Sequence, residues 1–76
     1  MKGYILVWTT FSAFECERIL GGLEWIYIRL VPTPREFSSD CGIAVFFEII
    51  DEMKGITTIE NILKDNKIEY EIKILN

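Results

Sequence analysis

Two short runs, Y-I-L-V-W-T at residues 4–9 and I-A-V-F-F-E-I at residues 43–49, carry apolar side chains on both faces. A strand with one wet face alternates apolar and polar residues. A run without that alternation belongs to a strand covered on both sides. In a chain of 76 residues, two such strands find cover only in the middle of one sheet. The remaining segments are then read as what surrounds that central pair.

Between the two runs lie a helix and a strand. Thr10 and Ser12 are candidate N-caps, and Ser12 stands three residues before Glu15, the spacing of a capping box. Ala13, Cys16, Ile19, Leu20 and Leu23 then share one side of a helix that Gly21-Gly22 stops. Residues 25–31 set Ile26, Ile28 and Leu30 against Trp25, Tyr27, Arg29 and Val31. Pro32 and Pro34 are expected to end this strand, since neither donates to a ladder. After the second central run, Asp51 opens a helical region broken at Gly55. Thr57-Thr58-Ile59-Glu60 reads as a second capping box, with Ile59, Ile62 and Leu63 facing inward. Asp65-Asn66-Lys67 turns the chain, and Ile68, Tyr70, Ile72 and Ile74 alternate with Glu69, Glu71 and Lys73 in a last strand.

The order β-α-β-β-α-β predicts one α+β domain over residues 1–76, a ferredoxin-like sandwich. Its antiparallel sheet takes the order 4-1-3-2 with both helices on one face. That order puts the first and third strands, the two apolar-both-faces runs, in the centre.

Composition narrows the chemistry. With no histidine and two cysteines, Ser-His-Asp and Cys-His catalysis are excluded, and a structural zinc site of about four ligands is not expected. No metal and no cofactor are predicted. A net charge of −4 argues against nucleic acid as a partner, because phosphate binding needs concentrated positive charge. No apolar run approaches the roughly 20 residues of a membrane span, so a cytoplasmic chain without a membrane partner is expected. Hydrophobic residues make up 50% of the sequence, more than so small a fold hides. A homodimer through the open sheet face is the economical outlet.

The predicted topology also locates the chemistry. The loop 32–42 shares an end of the sheet with the end of the first strand and the start of the first helix. Cys41 is therefore expected near Thr9–Ser12, where helix N–H groups and the helix dipole stabilise a thiolate. Arg35 adds positive charge and Asp40 opposes it. Ser38 and Ser39 offer hydroxyls to an anionic sulfur, and Gly42 permits close backbone approach or an unusual φ. From spacing alone Cys41 reads first as a small buried hydrophobe at a strand start. Cys16, on the apolar side of its helix, reads as core packing.

The loop P-T-P-R-E-F-S-S-D-C-G, residues 32–42, resembles the signature of the selenium/sulfur carrier-like family. Pro32, Pro34, Arg35, Ser38, Ser39, Cys41 and Gly42 are all in register with it, and the likeness extends over nearly the whole chain to the closing I-E-Y-E. The resemblance implies that Cys41 carries sulfur or selenium as a persulfide or selenopersulfide. Arg35, Ser38, Ser39, Gly42, Thr10 and Ser12 would surround the anion, and sulfur or selenium donor and acceptor proteins would be the partners. Such a chain is a carrier more than an enzyme, since no general acid or base accompanies the thiol.

Two other classes stay open. A regulatory or adaptor domain could act through the sheet face with an inert Cys41, as ferredoxin-like folds do widely. RNA-recognition domains share this element order and stack bases on open-face aromatics. Trp25, Tyr27 and Phe46 or Phe47 would supply the stripe, although C-G-I-A-V-F-F-E lacks the basic residue that precedes such motifs.

Overall fold

The computed structural model describes residues 1–37, 41–51 and 53–75. In chain order the elements are β1 (Lys2–Val7), α1 (Thr10–Leu20), β2 (Ile26–Pro32), β3 (Ile43–Ile49), α2 (Ile56–Asp65) and β4 (Tyr70–Leu75). The four strands form one sheet ordered β2-β3-β1-β4, the predicted 4-1-3-2 read from the other edge. Every neighbouring pair is antiparallel. The two apolar runs do lie side by side, with Tyr4 opposite Phe46 and Ile5 opposite Val45.

Strand parity divides these residues between two layers. Ile5 and Val7 from β1 join Val45, Phe47 and Ile49 from β3 in one core cluster. Ala13, Cys16 and Leu20 of α1 and Ile59 and Leu63 of α2 complete it, so both helices cover the same face. Phe47 is fully buried at its centre. Burying such a side chain contributes about 2–3 kcal/mol relative to leaving it exposed. Gly3 stands between Phe47 and Ile74 on the neighbouring strands. A Cβ there would run into the Lys73 carbonyl and the Phe47 ring, so only glycine lets β1 and β4 approach this closely.

The opposite face has a partial roof. Tyr4, Phe46 and Tyr27 meet edge to face, with centroids 5.7 Å apart for the first pair and 6.4 Å for the second. Phe37, from the loop between β2 and β3, comes back onto Tyr4 at 5.7 Å, and the Lys73 ammonium lies 5.9 Å from the Phe37 ring. Leu6 and Ala44 on this face are buried although they stand outside the helix-side cluster. Part of the aromatic excess that suggested a dimer is therefore absorbed within the chain. The expected stripe is also corrected. Phe47 points to the helices, and Trp25 packs against the core with Lys54 over its ring at 6.0 Å.

Several boundaries differ from the sequence reading. β1 begins at Lys2 and ends at Val7, because Thr9 leaves the sheet to become the N-cap of α1 (φ −139°, ψ 155°). Its Oγ1 accepts from the Ser12 N–H at 3.1 Å and donates to the Ser12 hydroxyl at 3.0 Å. The Ser12–Glu15 capping box is thus not formed, and Glu15 pairs instead with Arg18 at 2.8 Å. The second box is absent too. Gly55 is the N-cap of α2 without a side-chain bond, and Asp51 makes a turn by accepting from the N–H groups of Met53 and Lys54.

Pro32 is the last residue of β2, opposite Ile43. An edge strand tolerates a residue without an N–H. Lys67 ends α2 in the left-handed region at φ 58°. The N–H of Ile68 bonds the Leu63 carbonyl at 3.0 Å and that of Lys67 bonds the Lys64 carbonyl at 3.0 Å, a Schellman motif that delays β4 to Tyr70.

Candidate thiol site at the start of the first helix

The site follows from the antiparallel pairing of β1 and β3. Because β3 begins at Ile43 beside β1, residues just before Ile43 lie past the end of β1, where the chain turns through Trp8 and Thr9 into α1. Cys41 occupies that position and is 5% exposed. Its Sγ lies 3.8 Å from the Oγ1 of Thr10, the first residue of α1.

The backbone at Cys41 and Gly42 is pinned by Thr33, the residue that follows β2. Thr33 donates its hydroxyl to the Cys41 carbonyl at 2.8 Å and its N–H to the Gly42 carbonyl at 3.0 Å. Within the first turn of α1, Thr9 already serves the N–H groups of Ser12 and Ala13. The N–H groups of Thr10 and Phe11 are left without a helix partner, at the positive end of the helix dipole. A sulfur anion at this end of the sheet is opposed by no buried carboxylate among the described residues.

A family model described as "Putative Se/S carrier protein-like" matches residues 2–73. The chain belongs to this family. The match begins in β1 and ends in β4, so it takes in the whole fold and the loop with Cys41. No curated protein matches the chain, and no solved structure matches it.

In this Se/S carrier-like chain the proposed site residues fall into distinct places. Thr10 and Cys41 are together. Ser12 is engaged in the cap with Thr9. Arg35 is exposed, in the turn closed by the Phe37 N–H and the Pro34 carbonyl. Gly42 has no positive φ, and a Cβ on it would meet open space. The expected close approach or unusual φ is therefore corrected, and its carbonyl is what the structure uses. Ser38, Ser39 and Asp40 lie outside the described residues.

The second thiol of the carrier-like chain is unlike the first. Cys16 is fully buried in the core cluster. Desolvation, helped by the charge of Glu15, pushes its pKa up to about 11. Among the described residues no group of three or more His, Cys, Asp or Glu side chains could hold a metal, and no helix is long and apolar enough to cross a membrane. Thr33 and Phe37 escaped the sequence reading, and Thr9, expected near Cys41, was not read as the N-cap it is. Thr33 could have been found from register, since it continues the Pro32–Ile43 pairing by one step. Phe37 is the one aromatic side chain in the loop 32–42.

Proposed function

We propose that this chain carries sulfur or selenium on Cys41, between a donor protein and an acceptor protein. The observation that supports the reading most directly is the 3.8 Å approach of the Cys41 Sγ to Thr10 at the N-terminal end of α1, together with membership of the Se/S carrier-like family.

The transfer balances without an external oxidant. The Cys41 thiolate attacks the outer sulfur of a donor persulfide. A new S–S bond forms to Cys41 as the donor's S–S bond breaks, and the electron pair departs with the donor thiolate. The proton stays with the transferred sulfur. In delivery an acceptor thiolate attacks that outer sulfur, and Cys41 leaves as the thiolate. Selenium takes the outer position by the same bond changes. The helix N-terminus and the Thr10 hydroxyl favour the anion at both stages. An adaptor or RNA-binding role through the sheet face has less support, since Phe37, Tyr4, Phe46 and Tyr27 are packed edge to face on one another.

The test treats wild type, Cys41→Ser and Cys16→Ala with a small persulfide donor and reads intact mass. Wild type and Cys16→Ala gain one sulfur atom; Cys41→Ser, with an unchanged circular dichroism spectrum, gains none. Equal loading of Cys41→Ser overturns the assignment.

A further inference from the structure

The two edges of the sheet are not alike. The β2 edge ends in Pro32, which offers no N–H, and carries the exposed Arg29 in its middle. The β4 edge has no proline and borders an open groove of about 530 Å³. Trp8, 42% exposed, forms one wall. Among the described residues Glu60, Glu69 and Glu71 line it against a single cation, Lys64, while Ile68, Ile72 and the Tyr70 ring supply apolar surface, and the Tyr70 hydroxyl donates to the Glu60 carboxylate at 2.9 Å. Along β4 these residues alternate, with Tyr70 and Ile72 toward the helix-side core and Glu71 away from it. Glu71, itself exposed, pairs with the half-buried Lys73 at 3.0 Å, a surface pair that an incoming cation displaces at little cost.

An unpaired strand edge accepts an added strand through its own N–H and C=O groups, with alternate side chains deciding which. The carboxylates and the exposed indole face ask for cations at every second position of that strand, and the apolar positions between them fit Tyr70 and Ile72. The groove also reaches the thiol's end of the sheet. Trp8 is followed by Thr9 and then Thr10, whose Oγ1 lies against the Cys41 Sγ.

We propose that the β4 edge docks an extended segment of the sulfur-transfer partner in which Lys or Arg alternates with apolar residues. The proposal rests on the carrier reading and names the partner's contact chemistry. Docking along the edge brings the partner's sulfur to the end of the sheet that holds Cys41.

Two persulfide-bearing peptides of equal length test it, one alternating Lys with apolar residues and one alternating Glu. The Lys peptide is expected to load Cys41 about tenfold faster at low salt, the scale of electrostatic steering, with the advantage lost at high salt. Glu69→Lys/Glu71→Lys should abolish the advantage while a small neutral persulfide still loads that variant at the wild-type rate. Equal rates for the two peptides, or a preference that survives charge reversal, overturns the proposal. The unloaded Lys peptide separates the two readings. If it shifts the Trp8 indole N–H resonance while no donor loads Cys41, docking stands and the carrier reading falls; if it leaves that resonance unmoved, docking falls.

Discussion

Cys16 and Cys41 are both buried, at 0% and 5% exposure, and both are thiols. Their surroundings are opposite in kind. Cys16 sits in mid-helix among Ile5, Val45, Phe47, Ile59 and the other apolar side chains of one cluster. There desolvation and the Glu15 charge both act against the thiolate. Cys41 sits between strands, two residues before β3, with a hydroxyl 3.8 Å from its sulfur and a helix N-terminus beside it. Burial alone therefore does not distinguish the two thiols. What distinguishes them is the neighbourhood: Cys16 lies in the apolar core cluster, whereas Cys41 has a hydroxyl and a helix start beside it, the kind of surroundings that, on the carrier reading, suits an anion.

The largest effect that follows is a difference in alkylation. With a pKa raised from 9.0 to about 11, Cys16 is ionised in about one molecule in a thousand at pH 8, against about one in ten for the unshifted thiol. Iodoacetamide followed by peptide mapping should label Cys41 first, with Cys16 at least about 100-fold slower than in the unfolded chain. Labelling of Cys16 at a rate equal to Cys41 in the folded protein would erase the contrast.

A second effect sharpens the same contrast through stability. The folded-state pKa of Cys16 is raised from an ordinary 9.0 to about 11, so the folded chain holds this proton more tightly than the unfolded chain. The corresponding stability is fully present below pH 9 and is lost as pH rises through 11. Its size is about 2–3 kcal/mol. Urea unfolding between pH 8 and 11 should show wild type losing more stability than Cys16→Ala by that amount, although the alanine variant starts lower because of its cavity. Parallel curves for the two proteins would mean that Cys16 is not desolvated as its packing implies.

The contrast was half legible in the sequence. The central pair of strands could be read because two runs lacked alternation, and from that pair the neighbourhood of Cys41 and Thr10 followed by antiparallel pairing alone. Cys16 could be read from helical spacing with Ala13 and Leu20. The caps could not. Thr9, Thr10 and Ser12 are all good N-cap residues, and Thr9 takes the role because β1 ends at Val7 and α1 starts at Thr10. Phe46 and Phe47 are both apolar, so their faces were open until register set Phe47 opposite Gly3 and Phe46 opposite Tyr4. The return of Phe37 onto Tyr4 depends on the tertiary path of the loop, which no local pattern encodes.

The smallest effects separate the two threonines that meet at the thiol site. Thr9→Ala removes the hydroxyl that caps α1, which should cost about 1 kcal/mol in urea unfolding and slow Cys41 alkylation as the first turn frays. Thr10→Val keeps the side-chain volume and the helix start but removes the hydroxyl 3.8 Å from Sγ. Its stability should stay within about 0.5 kcal/mol of wild type, while Cys41 alkylation slows several-fold. The pair thus divides the helix terminus from the side chain as sources of anion stabilisation. A Thr10→Val chain that alkylates at the wild-type rate, beside a slowed Thr9→Ala chain, would assign the whole effect to the backbone N–H groups of Thr10 and Phe11. The reverse pattern would assign it to the hydroxyl and reduce the helix start to a scaffold that brings Thr10 to the sulfur.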